Sequence, residues 1–399
     1  MEEKIIRVAQ IIGNASTGGV ESCIMNYYRN IDRTKVQFDF FVENTSPIIN
    51  RDIIAELGGK VVFIPSYIHP VKYMRTLTKL FKEGHYDIVH SNMNTLSVFA
   101  LRAAKKAGIK IRIAHSHSAV VPSKEEKVRT FTKNILKHFS KHYATHYFAC
   151  SEFAGRWLFG DKTFDEGKVT IVRNAVELWR FVYNDQVRDC MRKEMGLEGK
   201  FVVGHVGRFM KQKNQLFLLS VFKEILNRRP DAVLLILGDG PLHEDLMART
   251  KELHIRDRVV FAGVHKRPER FFQAMDCFLL PSLYEGLGMV LIEAQINGLN
   301  CYASVNVPRE AKVNDNVIFL PIKNAEEWAD SVVSGEETNR SLGVCRFINS
   351  PYDMRQEAGN LLALYQKMVL EADGSTVSTV GQTKREMSSA PKETTKDSK

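Results

Sequence analysis

Pro281-Ser282-Leu283-Tyr284-Glu285-Gly286-Leu287-Gly288-Met289-Val290-Leu291-Ile292-Glu293-Ala294 is the stretch around which the chain is organised. The apolar run Cys277 to Leu280 before it reads as a buried strand, and the Leu-, Ile- and Ala-rich segment after the glycines reads as a helix. Open α/β sheets bind ligands at such junctions, beyond the carboxyl ends of their strands. Gly286 and Gly288 let the backbone bend and a ligand come close, and the free N–H groups at the helix start suit a phosphate. Glu285 falls in the turn. Glu293 falls inside the helix, about one turn beyond Met289, where it can point back towards the same mouth. On spacing alone Glu293 is equally a solvated helix residue, but the apolar run Val290-Leu291-Ile292 argues for burial, and a buried carboxylate wants a hydrogen-bonded partner.

Outward from this stretch the chain alternates strands and helices. Ile5 to Ile12, Phe38 to Val42, Lys60 to Ile64, Asp87 to Ser91, Ile109 to His115, Tyr147 to Cys150 and a short run near Val169 read as strands. Helical stretches separate them, among them Val20 to Arg29, Val71 to Lys82 and Leu96 to Lys106. A second series holds Phe201 to Val206, Ala232 to Leu237, Val259 to Ala262 and Cys277 to Leu280, with a helix over Asn214 to Arg228 and Pro241 in the first turn of another. Strands spaced by helices imply parallel βαβ units and sheets covered on both faces. The weakly periodic, charged segment before Lys200 separates the two series. The expected organisation is a first domain over 1–180, a second over 181–349, a last helix over Pro351 to Leu370 and a Ser-, Thr- and Lys-rich disordered tail over 372–399.

With 399 residues, 44% of them hydrophobic, two ordinary domains are expected. No apolar run is long enough to span a bilayer, and Met1-Glu2-Glu3-Lys4 lacks the character of a signal peptide, which points to the cytoplasm. The six cysteines are scattered without a C-x-x-C pair, so free thiols are expected, not a disulfide framework or zinc site. The net charge of +10 favours an anionic partner: a sugar nucleotide, an anionic membrane or nucleic acid. Nothing in the chain resembles a nucleic-acid recognition module.

Four further segments carry candidate chemistry. Gly18-Gly19, between the first strand and its helix, is either a glycine loop beside an anionic ligand or an ordinary βα turn; it is not the G-x-G-x-x-G pattern. Arg208 and Lys213 follow the first strand of the second series, where two cations can neutralise a pyrophosphate or remain solvated. Ile113-Ala114-His115-Ser116-His117-Ser118 closes a strand; its histidines would face the cleft and contact a sugar hydroxyl or move a proton, or else are satisfied residues at a strand edge. H-x-H is also a possible metal pair, but no carboxylate spacing or D-x-D motif supports one. In Lys124 to Tyr143 an apolar stripe runs beside Lys133, Lys137 and Lys141. That pattern fits a helix with a solvated basic face or a patch that contacts an anionic membrane.

Taken together these residues resemble glycosyltransferase family 4, whose GT-B fold sets two facing Rossmann-like domains across a cleft. The likeness runs over nearly the whole chain before Ala372. It includes Gly18-Gly19, Ser151, Asn174 with Phe181, Gly207-Arg208-Phe209 with Lys213-Asn214, Leu237-Gly238-Asp239-Gly240-Pro241-Leu242, Phe261-Ala262-Gly263, and Pro281-Ser282 through Glu285-Gly286, Glu293-Ala294 and Gly298. His115-Ser116-His117 and Val307-Pro308-Arg309-Glu310 look like the branch that builds capsular and exopolysaccharide repeat units. The resemblance implies a retaining, metal-independent transfer from a nucleotide sugar, with UDP favoured, to a polyprenyl-lipid-linked saccharide, with no separate cofactor. It implies that Arg208 and Lys213 hold the diphosphate, that Glu285 contacts the donor sugar and Glu293 the ribose, and that Gly19, Gly238 and the Gly286-Leu287-Gly288 turn approach the nucleotide. The family's first-domain histidine corresponds to His117, or failing that His115, and the last helix is expected to cross back to the first domain. Ala175, Leu287 and Asn300 depart from the family's usual Gly, Phe and Pro. The alternatives are a non-catalytic glycosyltransferase-like subunit and another GT-B enzyme such as a sugar-nucleotide epimerase or a phosphorylase.

Overall fold

The computed structural model describes residues 4–13, 19–46, 50–117, 136, 139, 141–265, 267–336 and 338–374. Strands β1 (Ile6–Gly13), β2 (Val36–Glu43), β3 (Lys60–Ile64), β4 (Ile88–Ser91), β5 (Ile111–Ser116), β6 (His146–Ala149) and β7 (Val169–Ile171) form one sheet, ordered β3-β2-β1-β4-β5-β6-β7. Strands β8 (Phe201–Val206), β9 (Ala232–Leu237), β10 (Val259–Gly263), β11 (Cys277–Leu280), β12 (Asn300–Ser304) and β13 (Val317–Leu320) form the second, ordered β10-β9-β8-β11-β12-β13. Every recorded pairing in both sheets is parallel, as in β1 with β2 (Val8↔Phe38) and β8 with β9 (Val203↔Leu234).

The side-chain period of two explains why these strands are nearly continuous apolar runs. In β9, Val233, Leu235 and Leu237 pack into one core while Leu234 and Ile236 pack into another on the opposite face. In β1, Ile6, Val8 and Ile12 face one core and Ala9 and Ile11 the other. Helices cover both faces. The strand order reverses between β1 and β4 and between β8 and β11, which opens a crevice at the carboxyl ends of those strands.

The chain crosses between the cores at Ala175, buried in the first, and Val176, buried in the second. It returns beside this crossing: Val176 N–H donates to Tyr352 O at 2.9 Å, and Met354 N–H donates to Val176 O at 3.1 Å. The helix Met354–Ala372 then places Met354, Ala358, Leu361, Tyr365 and Met368 in the first core, so the last helix completes the first domain.

One local expectation differs from the structure. Pro241 lies in a turn ahead of the helix His243–Glu252, not in its first turn. The turn is laced to the loop after β8, because Phe209 N–H donates to Asp239 O at 3.0 Å and Leu242 N–H donates to Phe209 O at 3.2 Å. The charged segment before Lys200, read as the boundary between the two series, contains the helix Asp185–Glu194, whose Arg188 and Arg192 pair with Asp276. Within the expected second domain, strands β12 and β13 and the helix Ala325–Val333 are elements that the sequence pattern did not mark. Among the described residues no helix is long and apolar enough to cross a membrane.

Candidate functional site

The site in the second domain is built from the loops that follow β8 and β11, the two strands at the reversal. They are stitched together: Leu283 N–H donates to Gln212 O at 2.8 Å, Gln212 Nε2 to Tyr284 O at 3.0 Å, and Asn214 Nδ2 to Pro281 O at 3.2 Å. Asn214 adopts a left-handed backbone at φ 56°, which ends the loop and starts the helix Gln215–Arg228. The stitching holds Lys213 Nζ 2.6 Å from Glu285 Oε1, and Ser282 Oγ donates to the same oxygen at 2.6 Å. Arg208, in the same loop as Lys213, is exposed, and its guanidinium makes no hydrogen bond or ion pair with a described residue. Beneath the loop, buried His205 donates from Nδ1 to Leu279 O at 2.9 Å. Gln215 supports it by donating to Arg208 O at 2.9 Å. Burial pushes His205 down to about 4, with the Lys213 charge adding to the drop, so it is a neutral prop under the cationic loop.

Glu293 stands apart from that pair. It is the one member of the expected quartet that lines a cavity of about 1280 Å³ between the first-domain helix Gly19–Asn30 and the second domain, together with Glu21, Arg29, Arg180, His265 and Glu269. Its carboxyl has no hydrogen-bond or ion-pair partner among the described residues. Burial pushes it up to about 8 against the opposing charge of Arg180, with Glu269 adding to the rise and Lys213 opposing it. The cavity wall is an ion-pair chain that joins the domains. Arg29 Nε lies 3.5 Å from Glu177 Oε2, Arg180 Nη1 lies 3.2 Å from that oxygen, and Arg180 Nη2 lies 2.9 Å from Glu269 Oε2. On the first-domain side, Asn50 Nδ2 donates to Glu21 Oε1 at 3.1 Å.

The histidines do not stand open in the cleft as expected. His115 and His117 are buried at the carboxyl end of β5, in a polar cluster with His90 and Asn92 that touches the last helix where His90 meets Tyr365. His115 Nδ1 meets His90 Nε2 at 2.9 Å, and His117 Nε2 meets Asn92 Oδ1 at 2.8 Å. Burial holds His90 down at about 3 and His117 at about 4, and it drives His115 well below the ordinary imidazole range. All three are therefore neutral at physiological pH.

The glycines divide by what needs them. Gly288 caps the helix Met289–Ile296 at φ 86°, a left-handed conformation that glycine adopts without strain. Gly286 has open space where a Cβ would go. Gly238 is required by the packing of the protein itself, since a Cβ there would lie 2.0 Å from Gly207 O. Leu287 is buried in the second core. Gly19 begins the first helix, and Gly18 lies outside the described residues. Most of Lys124 to Tyr143, including Lys133 and Lys137, also lies outside them. Lys141 donates to Phe159 O at 2.8 Å, so it does not belong to a solvated basic face. Among the described residues no group of three or more His, Cys, Asp or Glu is placed to hold a metal ion. Sequence reasoning assigned no role to Ser282, His205, Asn92, Arg180 or Glu269, because their partners come from distant segments.

Residues 17–180 match the family described as glycosyltransferase family 4, and residues 187–342 match glycosyl transferases group 1. The protein of Bacillus subtilis (strain 168) named as the glycosyltransferase EpsF is 30% identical over 372 residues, covering 90% of this chain and 96% of that one. The UDP-Gal:alpha-D-GlcNAc-diphosphoundecaprenol alpha-1,3-galactosyltransferase of Escherichia coli is 26% identical over 309 residues, covering 75% of this chain and 79% of its own. In fold, the chain is similar to Anabaena Alr3699/HepE, solved with UDP and glucose, at a TM-score of 0.75 and 16% identity, covering 91% of this chain and 100% of that one.

Proposed function

The chain belongs to glycosyltransferase family 4 and has its GT-B fold, and from that premise we propose that it moves a sugar, with retention at the anomeric carbon, from a UDP-sugar to a polyprenyl-linked saccharide. The product would be a capsular or exopolysaccharide repeat unit, made at the cytoplasmic face of the membrane. The observation that carries this reading is the loop pair after β8 and β11, which sets Arg208, Lys213 and Glu285 at the strand reversal. UDP is favoured by the printed name of the galactosyltransferase relative and by the HepE complex, and the lipid-linked acceptor by that same relative's name.

The chemistry follows from the groups present. Breaking the bond between the sugar and the diphosphate builds negative charge on the leaving group and positive charge on the ring. Arg208 and Lys213 act on the first, and Glu285, freed from Lys213 by the incoming diphosphate, contacts the sugar. Fixed groups of this kind are commonly worth about 3–4 kcal/mol of barrier each, so no metal or further cofactor is invoked. Glu293, on the wall of the cavity that His265 also lines, takes the ribose hydroxyls.

A thermal-shift screen of nucleotide sugars, followed by transfer to a polyprenyl-diphosphate saccharide, tests the proposal. A UDP-sugar that raises Tm and is consumed faster with acceptor than without it supports it. Absence of both effects across UDP-, GDP- and dTDP-sugars overturns it in favour of a non-catalytic subunit. Membrane contact through Lys133 and Lys137 is tested separately by flotation with anionic vesicles. Changing both to Glu should weaken it.

A further inference from the structure

His117 belongs to a circuit of buried side chains whose direction can be read. Gln10 Nε2 donates to Tyr365 Oη at 3.2 Å, and Tyr365 Oη lies 2.7 Å from His90 Nδ1. His90 Nε2 meets His115 Nδ1 at 2.9 Å, and the His115 and His117 rings lie against each other, tilted by 32° with centroids 3.9 Å apart. His117 Nε2 meets Asn92 Oδ1 at 2.8 Å, and Asn92 Nδ2 closes the circuit by donating to Gln10 Oε1 at 3.0 Å. Asn92 Nδ2 also lies 3.4 Å from the backbone carbonyl of His90, which can only accept. That carbonyl fixes which end of the Asn92 amide is nitrogen, so the amide oxygen faces His117. An amide oxygen only accepts, so His117 carries its proton on Nε2. Its Nδ1 is then a bare lone pair, buried and without a partner among the described residues. An unpaired buried acceptor is costly, and such groups mark places where a ligand completes the hydrogen bonding.

We infer that Asn92 is a positioning residue for the transfer: its amide oxygen holds His117 as the neutral Nε2–H tautomer, leaving Nδ1 to accept from a sugar hydroxyl. The inference rests on the glycosyltransferase reading above. It also excludes one role for His117, since a ring held this way cannot donate a proton from Nδ1. The other groups around the ring keep it neutral. The His115 ring lies against it at a tilt, Cys150 Sγ donates to its carbonyl at 3.3 Å, and His90 and Tyr365 lie further along the circuit. None of these is a carboxylate that would stabilise an imidazolium.

Long-range proton–nitrogen correlation of the histidine rings in the full chain tests the tautomer without any ligand. Nε2–H on His117 is expected, and Nδ1–H overturns the inference. Release of UDP from UDP-glucose or UDP-N-acetylglucosamine tests its consequence. Asn92→Asp puts a carboxylate opposite Nε2, raises the His117 pKa and protonates Nδ1 as pH falls. Its turnover at pH 6 should drop about tenfold or more relative to pH 8, a ratio that wild type does not show. Asn92→Ala should lower kcat about tenfold while KM for the donor stays within about twofold. A pH profile of Asn92→Asp parallel to wild type overturns the proposal even if both variants lose stability. Loss in donor hydrolysis without acceptor places the hydroxyl on the donor sugar, and loss only in transfer places it on the acceptor. His117→Ala with normal turnover would instead reject His117 as a substrate contact and leave the tautomer measurement standing.

Discussion

Lys213 Nζ lies 2.6 Å from Glu285 Oε1, so the cation assigned to the diphosphate is already bonded to the carboxylate assigned to the sugar. The pair is mutually neutral until a donor's phosphates compete for the ammonium. Ser282 Oγ holds the same carboxylate oxygen, which keeps Glu285 in place when Lys213 lets go.

Lys213→Ala therefore removes the cation while leaving Glu285 a hydrogen-bond donor in Ser282. Turnover is expected to fall at least about a hundredfold, with far-ultraviolet circular dichroism unchanged and Tm within about 4 °C of wild type. Steady-state kinetics and thermal unfolding on the same preparation check this. Near-normal turnover would take Lys213 out of the mechanism.

Stability should peak near neutral pH, for reasons of opposite sign. His90, His117 and His205 titrate at about 3, 4 and 4 in the fold, and His115 well below its ordinary value. The unfolded chain takes up those protons near pH 6.5 while the native state does not, so stability is lost as pH falls below that value. Glu293 acts the other way. The native carboxyl keeps its proton up to about pH 8 while the unfolded chain releases it near 4.5, so its contribution is lost as pH rises between the two. On the acid side these histidines, joined by His146, outweigh Glu293, Glu21 and Glu357, the carboxyls that burial holds above their ordinary range. Urea unfolding from pH 4.5 to 8.5 should show the maximum, and Glu293→Gln should flatten the alkaline limb by about 1–3 kcal/mol.

What could be seen in the sequence was local. The edges of β8 and β9 coincide with the apolar runs Phe201 to Val206 and Ala232 to Leu237, because a parallel strand buried on both faces admits little else and Gly207 and Gly238 end the runs. Strand β12 is small and polar by comparison, Asn300-Cys301-Tyr302-Ala303-Ser304, and carries no such signal. Lys213 and Glu285 were each recognisable at a strand end, but they are 72 residues apart, and only the β8–β11 adjacency makes them a pair. His115 and His117 were placed correctly at the end of β5. Their burial was not legible, because His90 arrives from β4 and Tyr365 from 275 residues beyond His90.

The glycines give a paired prediction. A Cβ at Gly238 would meet Gly207 O at 2.0 Å with φ at +136°, so Gly238→Ala should cost more than about 3 kcal/mol or abolish soluble protein. Gly286 has nothing within 4 Å of a Cβ and no positive φ, so Gly286→Ala should change stability by less than about 0.5 kcal/mol. If Gly286→Ala nevertheless weakens binding of UDP-sugars by titration calorimetry, the open space belongs to the ligand. Unchanged binding would remove Gly286 from the site.

Arg180 is the keystone of the wall between the domains. Its guanidinium is shared by Glu177 at 3.2 Å and Glu269 at 2.9 Å, both buried carboxylates, and its charge also opposes the rise in the Glu293 pKa. Arg180→Met keeps much of the side-chain volume and removes the charge. Glu177 retains Arg29 and Asn30, but Glu269 is left with Arg267 on an exposed side chain. Removing one partner of buried ion pairs typically costs about 3–5 kcal/mol, and the remaining exposure of Arg180 places the expected loss near about 3 kcal/mol. The same change takes away the main opposing charge at Glu293, so its carboxyl should stay protonated to higher pH. The alkaline loss of stability should then extend to higher pH than in wild type, in urea titrations at pH 7, 8 and 9. An Arg180→Met protein as stable as wild type, with an unshifted alkaline limb, would show that Arg180 neither ties the domains together nor governs the Glu293 charge.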